Sequence, residues 1–157
     1  MQKKNLSNLA IALNRLKGIL KYFSTQEGIL RLNVCLYDDP RNAESQILNV
    51  LLLEDSEFLG PFLGKTLEVG FKESNVIVGL ELRGLYNIFK SKILNIKTDA
   101  LFARLVLETP SVQNLEMQNP NVITALCPLD FIRKNSLKIG DCVDWHIPEN
   151  AVMLYAN

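Results

Sequence analysis

The sequence predicts an all-β protein with short helices, organised as two small barrels that share one pattern. Short runs in which apolar and polar residues alternate recur along the chain of 157 residues, and such alternation is typical of half-buried strands. The second half of the chain repeats the residue pattern of the first half. Each copy of the pattern has room for several short strands and one short helix, which favours a small barrel.

An internal repeat is the main signal in the sequence. Four pairs of residues mark it, in this order: Asn14 with Asn87, Arg31 with Arg104, Gly64 with Gly140, and Glu73 with Glu149. The offset within these pairs grows from 73 to 76 residues, so the second copy carries about three extra residues. We expect the insertion in the polar stretch from Pro110 to Pro120, which has a proline at each end.

Each copy is expected to form four or five short strands and one short helix. In the first copy the predicted strands cover residues 29–36, 47–53, 67–71 and 76–78, and the helix covers residues 55–63. In the second copy the strands cover residues 88–96, 101–107, 122–127, 143–147 and 152–155, with the helix at residues 129–135. Residues 6–20 have leucines at near-helical spacing, but their match to the second copy favours a strand after about Leu13.

The pattern therefore predicts two OB-like small β-barrels, the first over residues 12–80 and the second over residues 85–156. A barrel of about 70 residues buries a small core and is marginally stable alone. Pairing the two barrels, and associating whole chains, would bury more apolar surface. We therefore expect a homo-oligomer.

Composition limits the classes of function. Hydrophobic residues make up 48% of the chain and charged residues 22%, which is typical of a folded protein. Lys and Arg together number 17, as do Asp and Glu, and no block of five like charges occurs, so direct binding of nucleic acid is not expected. No apolar stretch approaches the roughly 18 residues of a membrane span, and residues 9–13 are too few for the core of a signal peptide. We expect a cytoplasmic protein.

The sequence contains no motif of a catalytic or metal site. The three cysteines, Cys35, Cys127 and Cys142, lie far apart without a metal-binding spacing, and we interpret them as buried thiols. His146 is the single histidine, and no motif places a serine or cysteine nucleophile beside it, so we interpret it as a structural residue. We therefore predict that the protein is not an enzyme.

Two segments of the first copy resemble a known family. Residues 12–18, Ala-Leu-Asn-Arg-Leu-Lys-Gly, are similar to the Ser-Ala-Arg-Asn-Gln-Leu-Lys-Gly stretch that opens Mop domains, which are also called molbindin domains and are TOBE-like. Residues 71–77, Phe-Lys-Glu-Ser-Asn-Val-Ile, are similar to the Phe-Lys-Ala-x-x-Val-Ile segment that closes them. Residues 137–143 and 152–154 match the closing segment again, so the chain resembles a tandem Mop protein over residues 12–155.

The resemblance implies a molybdate or tungstate ligand, bound in molybdenum transport, storage or sensing. Such a dianion needs hydrogen-bond donors, and the positions that match the family's site give this candidate set: Lys72, Leu13, Asn14, Glu73, Tyr86 and Asn87. The chain departs from the family at the serine position, which holds Ile11 and Gly84. It also departs at the second lysine position, which holds Pro148.

The sequence therefore leaves two hypotheses open. The first is an oxyanion-binding protein that serves molybdenum homeostasis beside a molybdate transporter. The second is a degenerate Mop-like interaction module that binds a transporter or regulator protein without an oxyanion.

Overall fold

The structure, a computed structural model, describes residues 10–38, 45–53, 57–109 and 122–155. Within these residues the chain forms ten strands, one short α-helix and three 3₁₀ helices. The expected insertion between Pro110 and Pro120 lies outside the described residues, as do residues 6–9 of the ambiguous N-terminal segment. The prediction of an all-β fold with short helices is confirmed.

The first sheet has five antiparallel strands in the order β10-β4-β1-β2-β3. Four strands come from the N-terminal half and one from the end of the chain: β1 (Leu13–Gln26), β2 (Ile29–Asp38), β3 (Ser45–Leu52), β4 (Thr66–Lys72) and β10 (Met153–Tyr155). The hairpin between β1 and β2 turns at Glu27 and Gly28, which have positive φ angles of 53° and 79°. A two-residue turn with positive φ at both positions matches the twist of the strands beside it.

The second sheet has the order β5-β9-β6-β7-β8, which corresponds strand for strand to the first. Its strands are β5 (Ile77–Gly79), β6 (Ile88–Thr98), β7 (Phe102–Glu108), β8 (Val122–Pro128) and β9 (Cys142–His146). The short outer strand of each sheet comes from the other half, because β10 joins β4 and β5 joins β9. The predicted units 12–80 and 85–156 thus complete each other's sheets, and their independence as domains stays a prediction.

Short helical segments connect the strands at the expected places. The helix predicted at residues 129–135 is α1 (Leu129–Lys134), and the one predicted at residues 55–63 is a 3₁₀ helix over Glu57–Phe62. Two further 3₁₀ helices, Glu73–Asn75 and Glu149–Ala151, follow β4 and β9 at matched positions of the two halves. These two segments carry the chain from one half towards the sheet of the other.

One hydrophobic core extends through both halves. Strand β1, the segment with near-helical leucine spacing, buries alternate residues, as the repeat indicated. The Trp145 ring lies between Phe89 and Phe71, with centroid distances of 4.7 Å and 5.9 Å, and its indole N–H donates to Ser91 Oγ at 2.9 Å. Because Phe71 and Trp145 belong to different halves, the exchange of strands is accompanied by shared burial.

Two of the three cysteines are buried, as expected. Cys35 and Cys127 lie in the interior, and burial raises the pKa of the Cys127 thiol to about 11, so this thiol is protonated at neutral pH. Cys142 is exposed at the start of β9, which corrects the prediction that all three thiols are buried. None of the described helices is long and apolar enough to cross a membrane.

Candidate functional site at two seams between the halves

The two halves meet along two seams at matched positions. In the first seam, residues 10–14 and 72–75 lie against β7 and β8 of the C-terminal half. In the second seam, residues 84–87 and 147–149 lie against β2 and β3 of the N-terminal half. The six candidate residues divide between them: Leu13, Asn14, Lys72 and Glu73 belong to the first seam, and Tyr86 and Asn87 to the second.

Asn14 joins the first seam by binding the backbone of a strand in the other half. Its Nδ2 donates to the Thr124 carbonyl oxygen at 2.9 Å, and its Oδ1 accepts from the Thr124 N–H at 2.7 Å. Asn14 is buried, so these bonds satisfy groups that water does not reach. They use one of the two Nδ2 hydrogens of Asn14.

Asn87 performs the same task in the second seam. Its Oδ1 accepts from the Asn49 N–H at 2.7 Å, and its Nδ2 donates to the carbonyl oxygens of Asn49 at 2.8 Å and Ile147 at 3.0 Å. Its backbone has a φ of 60°, a left-handed conformation that asparagine tolerates better than most residues. Both Nδ2 hydrogens are therefore engaged by the protein itself.

Glu73 is the most enclosed charged group of the first seam. Its side chain has no exposed surface, and its two oxygens accept from Arg104 Nε at 2.9 Å and Arg104 Nη2 at 3.0 Å. Glu73 Oε2 also accepts from the Ala12 backbone N–H. Three donors therefore compensate a carboxylate that burial would otherwise destabilise.

Glu149 and Arg31 occupy the matched positions of the second seam, but their contact is looser. Arg31 Nη1 lies 3.6 Å from Glu149 Oε2, beyond hydrogen-bond distance, and the two side chains are 46% and 20% exposed. Glu149 Oε2 is itself buried and has no hydrogen-bond partner among the described residues. The same pair of residue types thus forms a complete contact in one seam and an incomplete one in the other.

Lys72 and Leu13 are paired in register between β4 and β1 at the edge of the first seam. Both side chains are exposed, whereas the neighbouring Glu73 is buried. Among the described residues, no carboxylate forms an ion pair with Lys72. The sequence-predicted residues of the first seam are therefore brought together, with one free cation at the surface.

The second seam has no such cation. Pro148 stands at the position of Lys72 and offers neither a charge nor a backbone N–H. Tyr86 stands at the position of Leu13, and its carbonyl oxygen accepts from His146 Nδ1 at 2.8 Å. His146 is buried, and its role as a structural residue stays a prediction.

The sequence-based candidate set missed the partners that the opposite half supplies. Arg104 and Arg31 were matched by the repeat but were not assigned to a site, and Thr124 and Asn49 were not singled out at all. The repeat contained a usable signal, because an arginine and a glutamate each recur at matched positions of the two copies. Recognising the pairs required knowing that each arginine faces the glutamate of the other copy.

Two pockets lie beside the seams. The larger, of about 450 Å³, borders the first seam and has apolar walls from Ile11, Phe102 and Leu126 with Arg104 at one side. Hydrogen bonds from the backbone N–H groups of Phe102 and then Leu101 hold the pKa of Asp99, which also lines this pocket, below its usual value. The smaller, of about 280 Å³, borders the second seam and includes Tyr86, His146, Pro148 and Glu149.

The charges of the two seams differ in balance. The first seam has two cations, Lys72 and Arg104, and one carboxylate, Glu73, whereas the second has one of each, Arg31 and Glu149. Lys97 and Asp99 on the wall of the larger pocket have opposite charges and balance each other. The first seam therefore favours an anion more than the second does. In the part of the chain that the structure describes, no cluster of three or more His, Cys, Asp or Glu residues could hold a metal ion.

Comparison with solved structures finds proteins of similar fold. No protein-family model and no curated protein sequence matches the chain. Among solved structures, the chain is similar to ModG, described as a cytoplasmic molybdate-binding protein and solved in a form with molybdate bound. The TM-score is 0.73 at 19% sequence identity, and the match covers 92% of this chain and 96% of that one. At this identity the likeness establishes the fold, and the prediction of two OB-like barrels is confirmed by it.

Proposed function

We propose that the protein binds a tetrahedral oxyanion, molybdate or tungstate, at the edge of the first seam. Its role would lie in molybdenum transport, storage or sensing in the cytoplasm. The proposal is supported by the fold that the chain shares with ModG, which was solved with molybdate bound, and by the chemistry of the first seam. The single observation that carries it is Lys72, an exposed cation at the edge of that seam with which no carboxylate of the described residues forms an ion pair.

The charges and donors at this edge suit an anion. The negative charge of Glu73 is already compensated by Arg104, so it does not repel a ligand at full strength. Asn14 retains one Nδ2 hydrogen that its contact with Thr124 does not use. Lys72 contributes a flexible point charge with three donors. Leu13, opposite Lys72, forms an apolar border to the site.

We propose one oxyanion site per chain. Tyr86 and Asn87 stay a prediction for a second site, but the amide hydrogens of Asn87 are engaged and Pro148 replaces the lysine. The negative charge of Glu149, whose ion pair with Arg31 is long at 3.6 Å, would also repel a dianion. The occupied site would therefore lie at the first seam.

Association of chains is part of the proposal. Large apolar side chains are exposed near the first seam, including Leu101 at 71%, Phe102 at 48% and Ile11 at 46%. Exposed apolar groups in one area are typical of surfaces that bind protein. We propose that this surface binds a second copy of the chain and so forms a homo-oligomer. The second partner that we propose for it is a component of a molybdate transporter.

Calorimetric titration of the full chain with molybdate, tungstate and sulfate tests the proposal. We expect saturable heat with molybdate and tungstate, at one anion per chain. At a hundredfold excess over Kd, ligand binding should raise the melting temperature by about 5–10 °C. Absence of both heat and a melting shift with either metal oxyanion would remove the proposal.

Substitution of Lys72 tests the site. We expect Lys72→Ala to weaken molybdate binding by about tenfold or more, because a charge-assisted bond contributes roughly 1.5–3 kcal/mol. Lys92→Ala, at an exposed lysine of β6, is the matched control and should bind as the original chain does. Equal affinity in both variants would place the anion elsewhere.

A second function is favoured by specific contacts. Glu73 uses the Ala12 N–H, and Asn87 uses all its amide hydrogens, so several donors that an anion could use are occupied. These contacts favour an interaction module that binds a transporter or regulator protein without an oxyanion. The test is binding of the purified cytosolic component of a molybdate importer in oxyanion-free buffer, with Leu101→Asp as the variant expected to lose it. Binding that requires molybdate, or no binding, would reject this second function.

A further inference from the structure

Three donors converge on the buried carboxylate of Glu73, as they would on a bound anion. We propose that the interior of the first seam is an anion site filled by the protein's own Glu73, and that an external ligand of the same donors would be a small monoanionic carboxylate such as formate or acetate. This inference does not depend on an oxyanion at Lys72, because it concerns a buried position on the inner side of the seam.

The donor set has the composition of an anion site. Arg104 presents Nε to one oxygen of Glu73 at 2.9 Å and Nη2 to the other at 3.0 Å, a two-pronged arrangement that fits a planar carboxylate. The Ala12 N–H adds a neutral backbone donor to Oε2. Since the carboxylate is completely buried, protein donors take over the role that water has for an exposed ion.

The donors are held in place by contacts that do not involve the Glu73 side chain. Arg104 lies within β7, where its backbone is paired in register with Lys97 on one side and Leu126 on the other. Its Nη2 also donates to the Ala10 carbonyl oxygen at 3.2 Å. The Ala12 carbonyl oxygen accepts from the Glu73 backbone N–H at 3.0 Å, a bond that survives truncation of the side chain. Removal of the carboxylate should therefore leave a preformed space with donors on its wall.

The second seam shows what the same residues do when the donor set is incomplete. Arg31 remains 3.6 Å from Glu149, and the buried Glu149 Oε2 lacks a hydrogen-bond partner among the described residues. An arginine and a glutamate at matched positions are therefore not sufficient to make this arrangement. The filled anion site belongs to the first seam, where Ala12 supplies the additional donor.

Chemical rescue of Glu73→Ala in the full chain tests the proposal. The substitution removes the carboxylate and leaves space for formate or acetate. We expect acetate, compared with chloride at equal ionic strength, to raise the melting temperature of this variant by about 3–5 °C at tenfold excess over Kd. The original chain should show no such difference, because its site is occupied.

Two variants control the interpretation. Glu68→Ala removes the carboxylate of an exposed ion pair, in which Arg15 lies 2.8 Å from Glu68, and we expect no acetate-specific rescue there. Glu73→Gln fills the space with a neutral amide, and we also expect no rescue. Equal gains in acetate for either variant and for Glu73→Ala would overturn the proposal, as would the absence of any gain for Glu73→Ala.

Two further measurements cover the remaining cases. Sulfate should rescue Glu73→Ala less than acetate does, because its second negative charge would be buried where the carboxylate of Glu73 placed only one. An equal or larger effect of sulfate would overturn the assignment to carboxylates. If Glu73→Ala does not fold in chloride, its refolding yield from urea is compared in acetate and chloride. A higher yield in acetate supports the proposal, and equal yields reject it.

Discussion

The two seams are built from the same residue types at matched positions, yet one is complete and the other is not. Glu73 is fully buried and accepts from three donors, whereas Glu149 is 20% exposed and has Arg31 at 3.6 Å. Hydrogen-bond donors offset the cost of burying a carboxylate. Both oxygens of Glu73 have such donors, whereas the buried Oε2 of Glu149 has none among the described residues. The comparison teaches that duplication copies residue positions, and that the local backbone then decides which contacts form.

The asparagines differ in the opposite sense. Asn87 makes two hydrogen bonds to the backbone of Asn49 in the other half and one to the Ile147 carbonyl oxygen in its own half, whereas Asn14 makes two to the backbone of Thr124. Each asparagine therefore makes two hydrogen bonds to backbone across its seam, and the additional bond of Asn87 fixes its side chain within its own half. In each seam, an asparagine and a pair of arginine and glutamate join the two halves, but the arginine and glutamate are in hydrogen-bond contact only in the first seam.

The largest expected effect concerns the arginines. Arg104→Ala should lower the free energy of unfolding by about 3–5 kcal/mol, because it leaves Glu73 buried without its counter-charge. Arg31→Ala should lower it by less than about 1 kcal/mol, because that pair is long and partly exposed. Urea unfolding of both variants at neutral pH measures the difference. Similar losses in the two variants would contradict the proposed difference between the seams.

An intermediate effect is expected from the asparagines. Asn87→Ala should lower the free energy of unfolding by about 2–4 kcal/mol, because it leaves several buried backbone groups unpaired and places alanine at a positive φ. Asn14→Ala should cost about 1–3 kcal/mol, because only the backbone of Thr124 loses its partner. Thermal unfolding of both variants gives the order. A larger loss in Asn14→Ala than in Asn87→Ala would reverse this part of the comparison.

The smallest effect is expected from Glu149, the carboxylate of the longer ion pair. Glu149→Gln should change the free energy of unfolding by no more than about 1 kcal/mol, since the contact that it removes is long and partly solvated. The matched change, Glu73→Gln, should lower the free energy of unfolding by more than this. It replaces one carboxylate oxygen, which accepts from Arg104 or Ala12, by an NH2 group, which cannot accept. Unfolding in urea compares them directly. Equal losses of unfolding free energy in the two variants would show that the burial of Glu73 among its donors does not contribute to stability.

Much of the fold could be predicted from the sequence. The alternation of apolar and polar residues predicted most of the strands. The repeat correctly predicted a strand, β1, where the leucine spacing before Leu20 alone would have predicted a helix. The exchange of β5 and β10 between the halves could not be predicted, because a three-residue strand has the same alternation whichever sheet it joins. The exposure of Cys142 was missed for a similar reason, since the first residue of a strand does not share the burial of its centre.

Only part of the candidate site could be predicted from the sequence. Lys72, Leu13 and Asn14 are adjacent because β1 and β4 pair in register, and the resemblance had already grouped them. Arg104, which satisfies Glu73, lies 31 residues further along the chain and in the other half. No local pattern indicates that an arginine in one copy faces the glutamate of the other.

The sequence by itself determined the all-β class, the duplication and the residue types available at each seam, because alternation and order along the chain are local properties. The tertiary structure decided which half each outer strand joins and which carboxylate is enclosed. These outcomes depend on long-range packing and on whether every buried polar atom finds a donor, and both are properties of the assembled halves.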